Sequence, residues 1–521
     1  MKNRYSFRPV LRLWVLALLA VSLSNYTLCS DARREVTITN PLIYADVPDP
    51  DVVCVGKDYY MVSTTCHMSP GAPIMHSRDM KNWRIVSYVF DALHESPCND
   101  MEGGNIYSRG QWAASLRYHK GTFYVFFGTG VHSYIYKTKN PAGTWTLAAQ
   151  HRRYYHDASM LFDTDGKVYL VHCMGGVLYV KQFTPDLQDF TDGEENGTKI
   201  IALGDGCLHE GVHAYKIGGR YYMTTIWWPR GGDRTELCFR SDNVTGPYEQ
   251  RTILSDDLGF AHHGVAQGGI WKAANGLWYG MLFQDHEGVG RIPCLLPCTW
   301  VDGWPMLGDE NGKVPERFTI PKVKERGKTE VASSDDFSAR KLHLVWQWNH
   351  NPDNALWSLT ERPGFLRLRT GKVVSNLFEA RNTLTQRTVG PRCQGTVRMD
   401  ISQMKEGDHA GLFSFCSQPG GLDVVKTEAG YILQMSDRGQ INEQKDITGD
   451  FIWLRMDCDF TTDTARFSYS TDGKAFQSCG KPFHMIFSMD HFTGNKFAIF
   501  NYATQQSGGY VDVDSFDFVQ L

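Results

Sequence analysis

The stretch Tyr44–Val53, YADVPDPDVV, sets three aspartates, Asp46, Asp49 and Asp51, around two prolines and runs straight into apolar residues. Proline fixes φ and removes a backbone donor, so these carboxylates sit on a stiff, extended entry to a strand. Alone, such a stretch is a polar turn. It becomes decisive because four further segments follow its plan of strand, glycine or charged turn, and aromatic-rich strand. The five segments are DPDVVCVGKDYYMVSTT, QWAASLRYHKGTFYVFFG, HDASMLFDTDGKVYLVHC, HEGVHAYKIGGRYYMTTIWW and AQGGIWKAANGLWYGMLFQ. Lys-Gly, Asn-Gly and Gly-Gly between alternating strands are hairpin turns. The anchoring tyrosines Tyr60, Tyr124, Tyr169, Tyr222 and Tyr279 lie about 45–65 residues apart, the spacing of four-stranded propeller blades. Five blades closed on themselves leave little exposed sheet edge.

The repeat also sets a register. Twelve residues before the anchoring tyrosine of blades two to five stand Trp112, Asp157, Glu210 and Gln267, and eleven before Tyr60, where the turn is one residue shorter, stands Asp49. These positions open the innermost strands, which converge on the central channel of a propeller. Three carboxylates crowded there push one another's pKa values apart, giving an acid and a base. Two carboxyls spaced to admit a water hydrolyse a glycosidic bond with inversion, one protonating the leaving oxygen and the other activating the water. Trp112 has two readings at this position, a ring that packs a sugar face or a core tryptophan. Trp227 and Trp228 follow Glu210 on the next strand, and alternation lets one of them, Trp228 in this reading, line the pocket.

Beyond Arg317 the periodicity stops. Residues 320–334 read as a polar linker. Residues 335–521 hold strands without blade spacing and are expected to form a two-sheet sandwich. The expected architecture is all-β, with a propeller over 36–319 followed by a concanavalin- or lectin-like sandwich.

The rest of the chain narrows the class. Net charge is −4 with no basic run, which argues against nucleic-acid partners. Lys2, Arg4, Arg8 and Arg12 precede the apolar run Leu13–Leu23, an export signal over residues 1–30 that implies a periplasmic or secreted address. Cys29 is a candidate lipid-anchor cysteine, although Leu28 before it is not small. No later run is long enough to span a bilayer. The 13 cysteines are scattered without a CxxC pair, as in buried thiols rather than metal clusters. Asp163-Thr164-Asp165-Gly166 sits where a hairpin turn is required and lacks the further ligands of a calcium loop.

The segments VPDPDVVCVGKDYY, WAASLRYHKGTFYVFF, HDASMLFDTDGKVYLV, HEGVHAYKIGGRYYM and GRIPCLLPCTWVDGWP, spread over residues 40–310, resemble glycoside hydrolase family 43. The resemblance implies a five-bladed propeller and inverting hydrolysis without a required cofactor. It matches Asp49 to the general base, Asp157 to the aspartate that tunes and orients the acid, and Glu210 to the general acid. It also matches Arg291 to a sugar-contacting arginine. Asp46 and Asp51 are left as local scaffolding. The family carries a histidine near a central calcium at the fifth-blade mouth. Here Gln267 occupies that register, and His263, a few residues earlier, is the candidate ligand for a structural calcium. The second half resembles the family's C-terminal sandwich, which is similar to carbohydrate-binding modules and can lend a loop to the active-site mouth; His350 and Asn351 are assigned to that loop. Trp346, Trp348 and Trp357 read as core aromatics ahead of a sugar platform. The implied activity is exo-acting release of terminal pentose from plant polysaccharides, α-L-arabinofuranosidase ahead of β-D-xylosidase. An endo-arabinanase and a non-catalytic glycan-binding propeller are the rivals.

Overall fold

A computed structural model describes residue 1 and residues 35–521, apart from 192–194, 203–207, 230 and 261. The expected export signal and Cys29 lie outside the described residues. Among the described residues regular structure is almost wholly strand, with three short 3-10 turns, the first at Pro97–Asp100. No helix among the described residues is long and apolar enough to cross a membrane.

Five four-stranded antiparallel sheets follow in sequence order. Their innermost strands are Asp51–Val55, Ala114–His119, His156–Phe162, Leu208–Ile217 and Ala266–Lys272. Each innermost strand packs against those of the neighbouring blades, and the fifth returns to the first, so the ring is closed. Apolar clusters fill the wedges between blades; one joins Leu161, Tyr169 and Val171 of blade three to Val212, Tyr221 and Met223 of blade four. The ring's two ends are tied by Glu35–Thr39 pairing antiparallel with Arg317–Pro321, Val36 opposite Ile320, both fully buried. The stretch read as a linker thus begins inside a strand. It then lies along blade one, where the Glu330 amide donates to the Trp83 carbonyl and Val331 is buried.

Residues beyond this stretch form two large sheets face to face, with Leu412, Leu422, Phe497 and Phe516 among the fully buried side chains between them. Trp346 and Trp348 belong to this core, and Trp348 packs on Trp357 with ring centroids 5.2 Å apart. The propeller supplies one edge of the sandwich: Met68–Ser69 of blade one pairs with Trp348–Asn349. The two halves therefore share a sheet. All eleven cysteines described are free thiols, most of them buried.

At the channel the blades depart from regular pleating in a repeated way. Asp49, Asp157 and Gln267 have φ of 52°, 43° and 63°, and in blade four the residue after Glu210, Gly211, has φ 66°. The ladders shift register at the same places: between His156 and Ser159, Glu210 and His213, and Ala266 and Gly268. These are bulges, which bend a strand end and re-aim its side chains. A left-handed aspartate or glutamine is costly, and such strain gathers at sites where the surroundings over-determine it.

Candidate active site

These bulges, with the left-handed Asp49 of blade one, bring Asp49, Asp157, Glu210 and Gln267 together in the channel, with Trp112 beside them. Asp49 is 5% exposed. It accepts from Gln267 Nε2 at 3.1 Å and faces Arg291 Nη1 at 3.2 Å through Oδ1 and 3.4 Å through Oδ2. Burial raises its pKa, Arg291 opposes that rise, and the Asp157 charge adds to it. Arg291 is itself 3% exposed, so it is a channel residue held on Asp49 and not a surface arginine. Its guanidinium lies over the Phe492 ring at 4.2 Å and donates to the Phe492 carbonyl at 3.3 Å.

Gln267 is braced from behind. Its backbone amide donates to Glu236 Oε2 at 2.8 Å, and burial pushes the Glu236 carboxyl up to about 8. Gln267 also explains the glycine after Glu210: a Cβ on Gly211 would lie 2.5 Å from Gln267 Cδ. The Gly211 amide donates to Asp157 Oδ2 at 3.1 Å. Burial raises the Asp157 pKa, against the pull of His156 and with the push of the Glu210 charge.

Glu210 Oε2 lies 3.0 Å from His156 Nε2, and Asp157 Oδ2 lies 3.7 Å from the same nitrogen. These three groups are the one cluster of potential metal-ligating side chains among the described residues. The sequence reading missed His156. Strand alternation places it opposite Asp157, but the positive φ of Asp157 turns both toward the channel. A histidine next to a bulged aspartate was the available signal.

The other aspartates of YADVPDPDVV have separate tasks. Asp51, 1% exposed, accepts from the Leu116 amide at 2.8 Å and from Arg117 Nη1 at 2.6 Å. Burial would raise its pKa, but Arg117 and His213 hold it below the ordinary value. Asp46 accepts from the Arg291 amide at 3.0 Å and from the Gly494 amide at 3.1 Å. It rivets the strand of Arg291 to a sandwich loop.

That loop corrects one expectation. The sandwich residue at the channel is Phe492, whose ring also packs on Trp112 with centroids 5.2 Å apart. His350 and Asn351 are buried at the joint between the halves instead. His350 Nε2 accepts from the Ile106 amide at 2.9 Å, and Asn351 contacts Ser69, Leu93 and Asp100. They fasten a propeller loop and do not reach the mouth. The sequence around Phe492, MDHFTGNKF, follows no repeat, so no register pointed to it.

Two further candidates have partners of their own. Trp228 ends its strand 42% exposed, its ring over Arg234 at 5.1 Å. Its neighbour Trp227 packs parallel to the His209 ring. His263 Nε2 is 3.7 Å from Glu287 Oε1, and no third ligand group joins them among the described residues. A calcium ion takes six to eight oxygens, and this set does not fit one. Asp163 is bound to Lys216 and Tyr221 and Asp165 caps its own turn, as a hairpin requires.

Two family models match the chain: "Glycosyl hydrolases family 43" over residues 38–305 and "Beta xylosidase C-terminal Concanavalin A-like domain" over 334–519. The chain is 33% identical to a beta-xylosidase of Formosa agariphila, with 92% of this chain and 90% of that one aligned. It is 29% identical to a non-reducing end alpha-L-arabinofuranosidase of Bacteroides ovatus, over 80% of this chain and 79% of that one. A solved structure, a bifunctional GH43-CE protein of Bacteroides eggerthii, superposes with TM-score 0.87 at 41% identity; it covers 94% of this chain, which spans only 64% of that protein. Fold and family model together define a glycoside hydrolase. The chain belongs to glycoside hydrolase family 43.

Proposed function

We propose that this protein is an exo-acting, inverting glycosidase that releases terminal pentose, α-L-arabinofuranose foremost, from arabinose- and xylose-containing plant polysaccharides or oligosaccharides. The observation that carries this reading is the opposed arrangement of two carboxyls in one channel: Asp49 held by Arg291 and Gln267, Glu210 held by His156. Donors around Asp49 favour its ionised form, as a base that takes a proton from water requires. Glu210 delivers a proton to the leaving-group oxygen. Asp157, fixed by the amide of Gly211 next to Glu210, orients that acid.

Phe492 and Trp112 stand together beside Asp49 and Arg291. A wall donated by a second domain at one side of the channel suits a pocket for one terminal sugar better than an open cleft. A β-D-xylosidase is the second reading, favoured by the beta-xylosidase relative that aligns over 92% of this chain. The export signal read in residues 1–30 is consistent with a polymer-derived substrate outside the cytoplasm.

The test is a kinetic screen on aryl α-L-arabinofuranoside and aryl β-D-xyloside beside linear and branched oligosaccharides. A higher kcat/KM on the arabinofuranoside is expected, and preference for the xyloside would transfer the assignment to the second reading. Release of internal fragments from a linear arabinan would make the enzyme endo-acting. Binding without turnover would make the propeller a glycan-capture module.

A further inference from the structure

We propose that His156 and Glu210 work as one acid, with His156 holding the proton that Glu210 delivers to the leaving-group oxygen. The inference rests on the reading of Glu210 as the acid.

His156 Nε2 is 3.0 Å from Glu210 Oε2, and His156 Nδ1 is hydrogen-bonded to the Tyr154 hydroxyl. The ring is thus gripped at both nitrogens. The groups facing it come from every side. Asp157 Oδ2 lies 3.7 Å away on its own strand, Glu210 is on blade four, Asp49 adds its charge from blade one, and the Trp112 ring stands edge-on at 6.1 Å. Burial pulls the imidazole toward its neutral form, but the charges of Asp157 and Glu210 outweigh burial and push it up to about 9. At neutral pH the imidazole therefore keeps its proton, with Nε2 3.0 Å from Glu210 Oε2.

An acid catalyst must carry its proton when the glycosidic bond breaks, and interacting groups titrate as a pair. In the proposed step the Nε2 proton passes to the Glu210 carboxylate and on to the glycosidic oxygen. The bond from the anomeric carbon to that oxygen breaks, and its electron pair stays on the oxygen. The water activated by Asp49 supplies hydroxide to the anomeric carbon and leaves its proton on Asp49. Afterwards Asp49 loses that proton to solvent and the neutral imidazole takes one back. The pair thereby keeps an acid loaded at a pH where an isolated carboxyl is normally ionised.

The test compares wild type with His156→Phe and His156→Gln on an oligosaccharide and on the matching 2,4-dinitrophenyl pentoside, whose leaving group needs no protonation. In both variants the basic limb of kcat/KM on the oligosaccharide is expected to move down by about one pH unit or more. Activity on the oligosaccharide should fall at least about tenfold further than on the dinitrophenyl substrate. Circular dichroism checks the fold, and the glutamine variant carries the test if phenylalanine disturbs it. Nitrogen-15 NMR of wild type should show His156 protonated at about pH 7.5. An unmoved basic limb, equal losses on both substrates, or a neutral His156 at that pH would each overturn the shared acid. Glu210→Gln separates the two ideas. If it keeps oligosaccharide activity, the acid assignment itself falls. If it is inactive while the His156 variants keep the wild-type limb, only the shared acid falls.

Discussion

The channel is built by two regions that obey different rules. The blades deliver Asp49, Asp157, Glu210 and Gln267 by repetition, each at the same register from its anchoring tyrosine, the last three at bulges and Asp49 at a left-handed residue just before its strand. The sandwich delivers Phe492 once, from a loop anchored through Gly494 to Asp46 and through the Asn495 side chain to the Gly288 and Ile486 carbonyls. Repetition supplies the groups that exchange protons. The single loop supplies a wall. Chemistry and enclosure are therefore separable by mutation, and the variants below are ordered by how hard they press on that division.

The largest losses belong to the blade residues. Asp49→Asn and Glu210→Gln should each lower kcat by a factor on the order of 10³ with the fold retained by circular dichroism. A variant at either position with near wild-type turnover on an oligosaccharide would remove that residue from the chemistry. Arg291→Met comes next, because it leaves the Asp49 carboxylate buried without its cation. Breaking a buried pair costs about 3–5 kcal/mol, read as a lower denaturation midpoint. Burial already raises the Asp49 pKa and Arg291 opposes that rise, so removing Arg291 must raise it further. A base works ionised, so the acidic limb of kcat/KM should move to higher pH; a limb that stays in place would place the base elsewhere.

For stability the sign of Asp49 is the reverse of the usual carboxylate. Its folded pKa is raised, so its unfavourable contribution is absent below the unfolded value and grows as pH rises through the folded one. Asp51 is the counterpart. Its pKa is lowered, so it stabilises above the unfolded value and that stability is lost as pH falls through the folded one. Asp51→Ala should therefore destabilise near neutral pH by an amount comparable to Arg291→Met, with the difference shrinking in acid; a pH-independent difference would contradict the assigned pairing with Arg117.

Phe492→Ala presses on the wall. It should raise KM for a terminal pentose about tenfold, roughly 1.4 kcal/mol, while kcat changes little. A fall in kcat matching Glu210→Gln would mean that the loop orders the acid–base groups and that the division fails. The smallest effect is expected at Trp228, 42% exposed and packed on Arg234. Trp228→Ala should shift stability by about 0.5 kcal/mol or less and change KM on long oligosaccharides more than on aryl glycosides.

The same division explains what could be read from the chain alone. Repeats leave a register, and the register singled out Asp49 from Asp46 and Asp51 before any coordinates. It also placed Gln267, which the structure finds on Asp49. His156 escaped because pleating alone predicts that it faces away from Asp157; only the left-handed backbone of Asp157 overturns this. Phe492 escaped because its position depends on how a second domain docks, and that docking rests on contacts far apart in sequence, such as Asp46 with Gly494. His350 and Asn351 are buried at the domain joint and not at the mouth for the same reason: which sandwich loop reaches the channel is set by docking and leaves no local pattern in the chain. The prolines of YADVPDPDVV still set the rigid entry. In the folded chain its three aspartates divide the labour: Asp46 fastens the sandwich loop, Asp49 faces Arg291 in the channel, and Asp51 locks blade one to Arg117.

The stereochemistry of the released sugar tests the central proposal most directly. Proton NMR in the first minutes of hydrolysis, before mutarotation, should show the pentose appearing with inverted anomeric configuration, as a water activated by Asp49 opposite Glu210 requires. First release of the retained anomer would contradict the account, because it would demand a covalent sugar–enzyme intermediate in place of the activated water.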